Sequence, residues 1–168
     1  MKILIKMIIL FTKILIMIKT TLWVIVKGDK IFLWEKKRGF AKWVLNWVWW
    51  KREWNETMDD CMKREANEEI WIDIIKQEKV WLMYFYFEDK PEWNLVVYLY
   101  NIFDYDWDIV ESEEIKPFWF DLNNIPYDKM WEFDKVWLPR ILNWEKDIEY
   151  KVWYDTDNWK LLRFDKIK

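Results

Sequence analysis

Only two glycines, Gly28 and Gly39, occur in these 168 residues, where average usage of about 7% would supply roughly 12. Histidine is absent. That excludes Ser-His-Asp and Cys-His catalysis and every histidine-ligated metal site. A single cysteine, Cys61, rules out a disulfide within the chain and a cysteine metal cluster. The net charge of −3 offers no broad basic surface for nucleic acid. Acid, base or metal chemistry therefore falls to carboxylates, with Lys, Arg and Tyr as helpers. What is present in excess is tryptophan, 17 of them.

The tryptophans stand where glycines are expected. Four follow Asn or Asp in turn-like settings: Asn46-Trp47, Asp106-Trp107, Asn143-Trp144 and Asn158-Trp159. Asn-Gly and Asp-Gly are strong turn signals because glycine takes positive φ without a Cβ clash. Asn-Trp and Asp-Trp are not. Some bacteria read UGA as glycine, and a translation that reads UGA as tryptophan produces this pattern. The Lys-, Ile- and Asn-rich composition of an AT-rich gene agrees with that reading.

Length predicts one domain with a sizeable core. The opening MKILIKMIILFTKILIMIK has no uninterrupted run of 18 apolar residues, which argues against an ordinary spanning helix. Two readings of residues 1–19 stay open: a start assigned too early, with translation from Met17, or a basic amphipathic helix on a membrane surface. Residues 20–168 form the expected domain. Strands are predicted at Leu22–Val26 and Ile31–Leu33 around a Lys27–Lys30 turn, then a long loop over 36–56. A helix is predicted from Thr57 to about Glu69, with Asp59 and Asp60 in its first turn and Met58, Cys61, Met62 and Ala66 on one apolar face. Val80–Phe87 and Leu95–Phe103 read as strands, 119–126 as a strand leading into a loop, and Asp134–Leu142 as a helix. Tyr150–Tyr154 and Leu161–Phe164 read as a hairpin. The fold class is α/β (α+β).

The chemistry concentrates at WKREWNETMDDCMKREANEEIWI, residues 50–72. Glu65, Glu68 and Glu69 lie at i, i+3 and i+4, so one helix face presents three carboxylates. Such a face suits a divalent cation with oxygen ligands, Glu56 and Arg64 bracing the ligands. On spacing alone it is equally a solvated acidic face partnered by Lys63 and Arg64.

With Trp50 and Trp71 read as glycine, this stretch resembles the signature of the Nudix hydrolases, G-x5-E-x7-R-E-U-x-E-E-x-G-U. Glu56, Arg64, Glu65, Ala66, Glu68, Glu69 and Ile72 fall in register. Lys36-Lys37-Arg38-Gly39-Phe40, Asn46–Lys51, Glu111–Pro117 with Trp119-Phe120, Ile125-Pro126-Tyr127, Met130-Trp131 and Trp137-Leu138-Pro139 are similar to segments of the MutT-type oxidised purine nucleoside triphosphatases, the 8-oxo-dGTP diphosphatases of that superfamily.

The resemblance implies an α/β/α sandwich with a mixed sheet and a loop-helix site. It implies Mg²⁺, with Mn²⁺ as an alternative, and hydrolysis of a purine nucleoside triphosphate to monophosphate and pyrophosphate. Glu65, Glu68, Glu69, Glu114 and the backbone carbonyl of Trp49 are the implied metal ligands, with Glu68 and Glu114 candidates for the base. Lys36 and Lys51 would meet phosphates. Phe40, Asn46, Trp131 and Asp134 would build the purine pocket. Where the family often has two adjacent carboxylates, this chain has Phe133-Asp134, which leaves purines other than 8-oxoguanine open. Other nucleoside diphosphate-linked substrates, or a catalytically silent binding module should the tryptophans be literal, are alternatives. A cytoplasmic monomer with no nucleic-acid partner is expected, with membrane contact through residues 1–19 the less favoured reading.

In that family Trp119, Trp131 and Trp137 are tryptophan. Trp34, Trp43, Trp47, Trp49, Trp50, Trp71, Trp107, Trp144 and Trp159 are the expected glycines. Crowding is expected to be worst at Trp47–Trp50.

Overall fold

The computed structural model describes residues 17–37, 42, 44–46, 50–53, 55–113, 115–157 and 159–168. Its strands are β1 (Ile18–Lys27), β2 (Lys30–Lys36), β3 (Leu45–Asn46), β4 (Trp50–Lys51), β5 (Asp73–Phe87), β6 (Leu95–Asp106), β7 (Ile115–Asp121), β8 (Ile148–Asp155) and β9 (Lys160–Lys166). Its α-helices are α1 (Met58–Ile70) and α2 (Asp134–Leu142). The sheet runs β3-β2-β1-β6-β5-β8-β9, with β4 paired to β1 and β7 to β2. It is mixed. β1 is parallel to β6 and β5 to β8, whereas β1–β2, β5–β6 and β8–β9 are antiparallel.

Two-residue periodicity divides the core. Along β1, Leu22 and Val24 join one buried cluster with Trp137, Leu138 and Ile141 of α2. Trp23 and Ile25 join the other, with Cys61, Met62, Ala66 and Ile70 of α1. Alternate residues of a strand point to opposite faces. One helix therefore covers each face of the sheet, the α/β/α arrangement. In the α2 cluster the buried rings are pinned by polar bonds. Trp81 Nε1 donates to the Glu145 carbonyl at 2.7 Å, and Trp137 Nε1 to Asp134 Oδ1 at 2.8 Å.

α1 begins as its sequence dictates. Thr57 caps it in a reciprocal capping box with Asp60, which satisfies amides that a helix start leaves unpaired. It ends with Trp71 in the left-handed region, φ 62°. The Trp71 and Ile72 amides donate back to the carbonyls of Asn67 and Ala66 at 3.1 and 3.3 Å. That closure favours glycine, because a Cβ clashes there.

Among the described residues, four of the six non-glycine residues at positive φ are tryptophans: Trp71, Trp107, Trp144 and Trp159, at 62°, 72°, 60° and 54°. Three of them follow an Asn or Asp. Gly28, in the β1–β2 turn, has φ 62°. Among the expected glycines, Trp34 departs from the loop or turn setting. It is buried in β2, its ring edge-on to Trp23 and Phe32. Trp43, Trp47 and Trp49 lie outside the described residues, so the crowding expected at 47–50 does too, apart from the Trp50 backbone in β4.

Other boundaries also differ from expectation. The 36–56 loop contains β3 and β4, two residues each, held by pairing to β2 and β1. β5 starts seven residues before Val80. The strand expected over 119–126 is β7, which ends at Asp121 and gives way to short 3-10 turns. β1 starts at Ile18, so the boundary expected after residue 19 falls inside it.

Candidate active site

The N-terminal half of α1 rests on β1 and β6. Tyr100 of β6 donates its hydroxyl to Asp59 Oδ1 at 2.7 Å. β4 pairs Trp50 with Thr21 and Lys51 with Thr20, and the Arg52 amide donates to the Lys19 carbonyl at 3.0 Å. The segment entering the helix is thereby tied to the central strand.

On that platform Arg64 gathers three carboxylates. Its Nε and Nη2 donate to the two oxygens of Glu56 at 3.1 and 2.9 Å. Its Nη1 donates to Glu65 Oε1 at 2.6 Å and to Glu68 Oε2 at 3.2 Å. The Glu53 amide donates to Glu56 Oε1 at 2.7 Å. The fork geometry of guanidinium fits a carboxylate with two parallel bonds. Those bonds hold the Glu56 carboxyl down at about 2, well below its ordinary value. Glu65 is shifted the other way: burial raises its pKa, and the Arg64 bond only partly offsets this. Glu68 is more than half exposed, and Glu69 is half-buried. The spacing of Glu56, Arg64, Glu65 and Glu68 therefore becomes one contiguous charged cluster, and the purely solvated acidic face is not what forms.

The cluster fits a hard divalent cation in its donor chemistry, oxygen only, with a carboxylate that gains from added positive charge. A separate trio, Asp89, Asp155 and Asp157, has ligand atoms within 4.8 Å of one another. It lies at the opposite ends of β5 and β8, away from α1.

Lys36 and Lys51 end β2 and β4 and are exposed. Lys37, which was not among the expected site residues, reaches across to the 111–112 segment. Its Nζ donates to the Ser112 carbonyl at 2.6 Å and pairs with Glu111 at 2.5 Å. Glu114, Phe40 and Trp49 lie outside the described residues. Asn46 pairs through its backbone with Trp34, and its side chain lies outside the description.

On the α2 side a cleft of about 630 Å³ is lined by Val44, Asp128, Met130, Trp131, Glu132 and Trp159, with Lys129 and Lys160. Trp131 is half-buried and meets the Tyr154 ring edge-on at 6.4 Å. Asp134 sits behind it, fully inside. Its Oδ2 accepts from the Trp131 amide at 3.1 Å and its Oδ1 from Trp137 Nε1. Burial pushes its carboxyl up to about 7 against those bonds. Asp134 thus holds Trp131 in place from behind and is absent from the cleft lining, where it was expected to face the purine edge.

Sequence reasoning missed Glu132, Trp159 and Lys160 of the cleft. Glu132 Oε2 accepts the Leu161 amide at 2.9 Å, a contact between segments with no shared local pattern. It also missed Thr21, whose buried hydroxyl has no hydrogen-bond partner among the described residues.

The fold is an α/β/α sandwich in which a mid-helix arginine is bonded to three glutamates. The chain belongs to the NUDIX family, whose domain description, NUDIX domain, matches residues 20–141, and it is a Nudix hydrolase. Two curated relatives are each called oxidized purine nucleoside triphosphate hydrolase. The one from Danio rerio is 30% identical over 130 residues, 77% of this chain and 83% of the relative. The one from Mus musculus is 31% identical over 137 residues, 82% and 87%. The crystal structure of a MutT protein from Bacillus halodurans superposes with a TM-score of 0.76 at 20% identity, covering 90% of this chain and 98% of that one. A MutT NUDIX hydrolase from Burkholderia pseudomallei gives 0.63 at 18% identity, covering 74% and 97%. Among the described residues no helix is long and apolar enough to cross a membrane.

Proposed function

We propose that this protein hydrolyses purine nucleoside triphosphates, oxidised ones such as 8-oxo-dGTP among them, to the monophosphate and pyrophosphate with Mg²⁺, and so cleans the nucleotide pool. One observation carries the reading: Arg64 bonded at once to Glu56, Glu65 and Glu68, in the register of the Nudix signature. The names of the two animal relatives support the purine triphosphate as substrate.

Glu65, Glu68 and Glu69 would hold the ion, joined by Glu114 and the carbonyl of residue 49. When bound, Mg²⁺ neutralises charge that develops on the phosphates. Glu56 fixes Arg64, and Arg64 fixes the rotamer of Glu65. Glu68, the exposed member, and Glu114 are the candidates to take the proton from the attacking water as the phosphoanhydride opens. Lys36 and Lys51 are placed at strand ends that suit phosphate contact. Trp131 offers a face for the purine, held by the Asp134 bond to its amide. Phe133 stands where a second carboxylate is common in relatives of this type, so ordinary and other oxidised purines belong in the substrate range. The protein is read as a cytoplasmic monomer.

The tryptophans at 71, 107, 144 and 159 are read as glycine in the cell, by UGA recoding. Left-handed backbone costs a Cβ-bearing residue on the order of 1–2 kcal/mol, and three of these rings are also largely exposed. Intact-mass measurement of native protein tests this: a mass that requires 17 tryptophans refutes it. The activity is tested by pyrophosphate release from 8-oxo-dGTP, dGTP, 2-hydroxy-dATP and ADP-ribose with Mg²⁺. Preference for ADP-ribose over every triphosphate would replace the purine triphosphate reading.

A further inference from the structure

The cleft beside Trp131 has a wall to which the β8–β9 turn supplies Trp159 and Lys160. Trp159 lies at the left-handed corner of that turn, φ 54°. Its ring centroid is 5.8 Å from that of Trp131 at a 56° tilt. It also stacks nearly parallel to Trp93 at 6.1 Å and 16°, and it meets Phe87 edge-on at 6.0 Å. The turn itself is anchored to the Trp131 segment, because the Leu161 amide donates to Glu132. The Trp159 ring is therefore held by contacts with Trp93, Phe87 and Trp131.

A planar base seated between two rings needs about 7–8 Å from ring to ring, two contact distances of about 3.5–4 Å. The Trp131 and Trp159 rings are instead in tilted contact, 5.8 Å between centroids at 56°, with no parallel slot between them. With tryptophan at 159 a purine cannot enter between the two rings.

We infer that residue 159 sets access of the nucleobase to Trp131 and so determines substrate affinity: tryptophan closes the slot, and a residue without a ring opens it. This rests on the reading of the cleft as the purine site. The Glu132–Leu161 bond is what keeps the turn close enough for residue 159 to matter. Glycine is the replacement that opens the slot and also suits φ 54°.

The test compares the chain as written with Trp159→Gly, Trp159→Ala and Trp159→Phe. Two readouts are used: KM and kcat for 8-oxo-dGTP with Mg²⁺, and calorimetric binding of dGMP without metal. Stacking on an aromatic face makes a difference of about tenfold in affinity. The Gly and Ala forms should bind dGMP and lower KM by about that factor at unchanged kcat, with the Phe form close to tryptophan. Trp159→Gly keeps the test sound should the Ala form fold poorly. Equal KM and equal dGMP affinity for the Trp and Gly forms, with pyrophosphate still released, would overturn the role of residue 159 alone. If no form hydrolyses any purine triphosphate or binds dGMP, the substrate reading itself fails.

Discussion

Two carboxylic acids on opposite sides of one sheet behave in opposite ways. Glu56, before α1, is held down at about 2 because Arg64 grips both of its oxygens. Asp134, at the start of α2, is pushed up to about 7 because it is buried, and the amide and indole N–H that it accepts from offset this only in part. The difference lies in the partner: a full positive charge stabilises the ionised form, whereas two neutral donors do not repay the loss of water. On the α1 side Arg64 joins three carboxylates in one cluster, whereas Asp134 on the α2 side is buried among neutral donors. The first suits phosphate chemistry and the second suits a flat aromatic ligand.

Glu68→Gln tests the charged side where it is expected to matter most. Pyrophosphate release should fall about 100- to 1,000-fold, while thermal unfolding stays within about 0.5 kcal/mol of the parent, since the side chain is largely exposed. A variant that keeps its rate would remove Glu68 from the mechanism. On the aromatic side, Trp131→Ala made in the Trp159→Gly form should raise KM for the triphosphate by about 1–3 kcal/mol of lost stacking, with kcat changed far less. A fall in kcat alone would argue that Trp131 only supports the fold.

The pH behaviour of the two acids sharpens the contrast. Glu56 has a lowered folded pKa, so the stability it adds is present above the ordinary glutamate value of 4.5 and is lost as pH falls toward about 2. Glu56→Gln should flatten the acid side of the Tm–pH curve. Asp134 has a raised folded pKa, so the folded state holds its proton longer and stability declines as pH rises from about 4 toward about 7. Asp134→Asn should remove that decline. Matching slopes in both variants would dissolve the distinction. The smallest effect is expected from Trp71→Gly, a gain of about 1 kcal/mol in unfolding free energy, since the Trp71 ring is 64% exposed and little packing is lost. A destabilised variant would mean that the ring contributes contacts outweighing the backbone strain.

Much of the charged side was legible. Thr57, Asp60 and the apolar spacing of Cys61, Met62 and Ala66 specify α1 through local rules, and α2 was bounded at Asp134 and Leu142 for the same reason. Residues 73–79 were not read as strand because they are mostly polar. The structure gives the reason: this half of β5 pairs only with β6, and β8 joins from Trp81 onward, so it lacks burial on its second edge. β3 and β4 have no local signal, being defined by the strands they meet. The cleft is the least legible part. Trp131 was expected there, but Trp159 and Lys160 come from the β8–β9 hairpin, whose parallel pairing with β5 no short window contains, and Glu132 meets that hairpin at the Leu161 amide. Asp134 was read by type as a purine contact, whereas its position makes it the support for Trp131.

The parallel pairing of β1 with β6 carries a consequence for how the enzyme comes into being. Thr20 donates its hydroxyl to the Val96 carbonyl, 76 residues away in sequence, and β1 is the strand on which both the α1 platform and the β4 segment rest. α1 has local signals enough to form early, yet its carboxylates have no platform until that long loop closes. Contacts of such separation slow folding. Residues 18–25 should therefore be among the last to gain protection from hydrogen exchange during refolding, and enzymatic activity should return with them, after the helices have already formed.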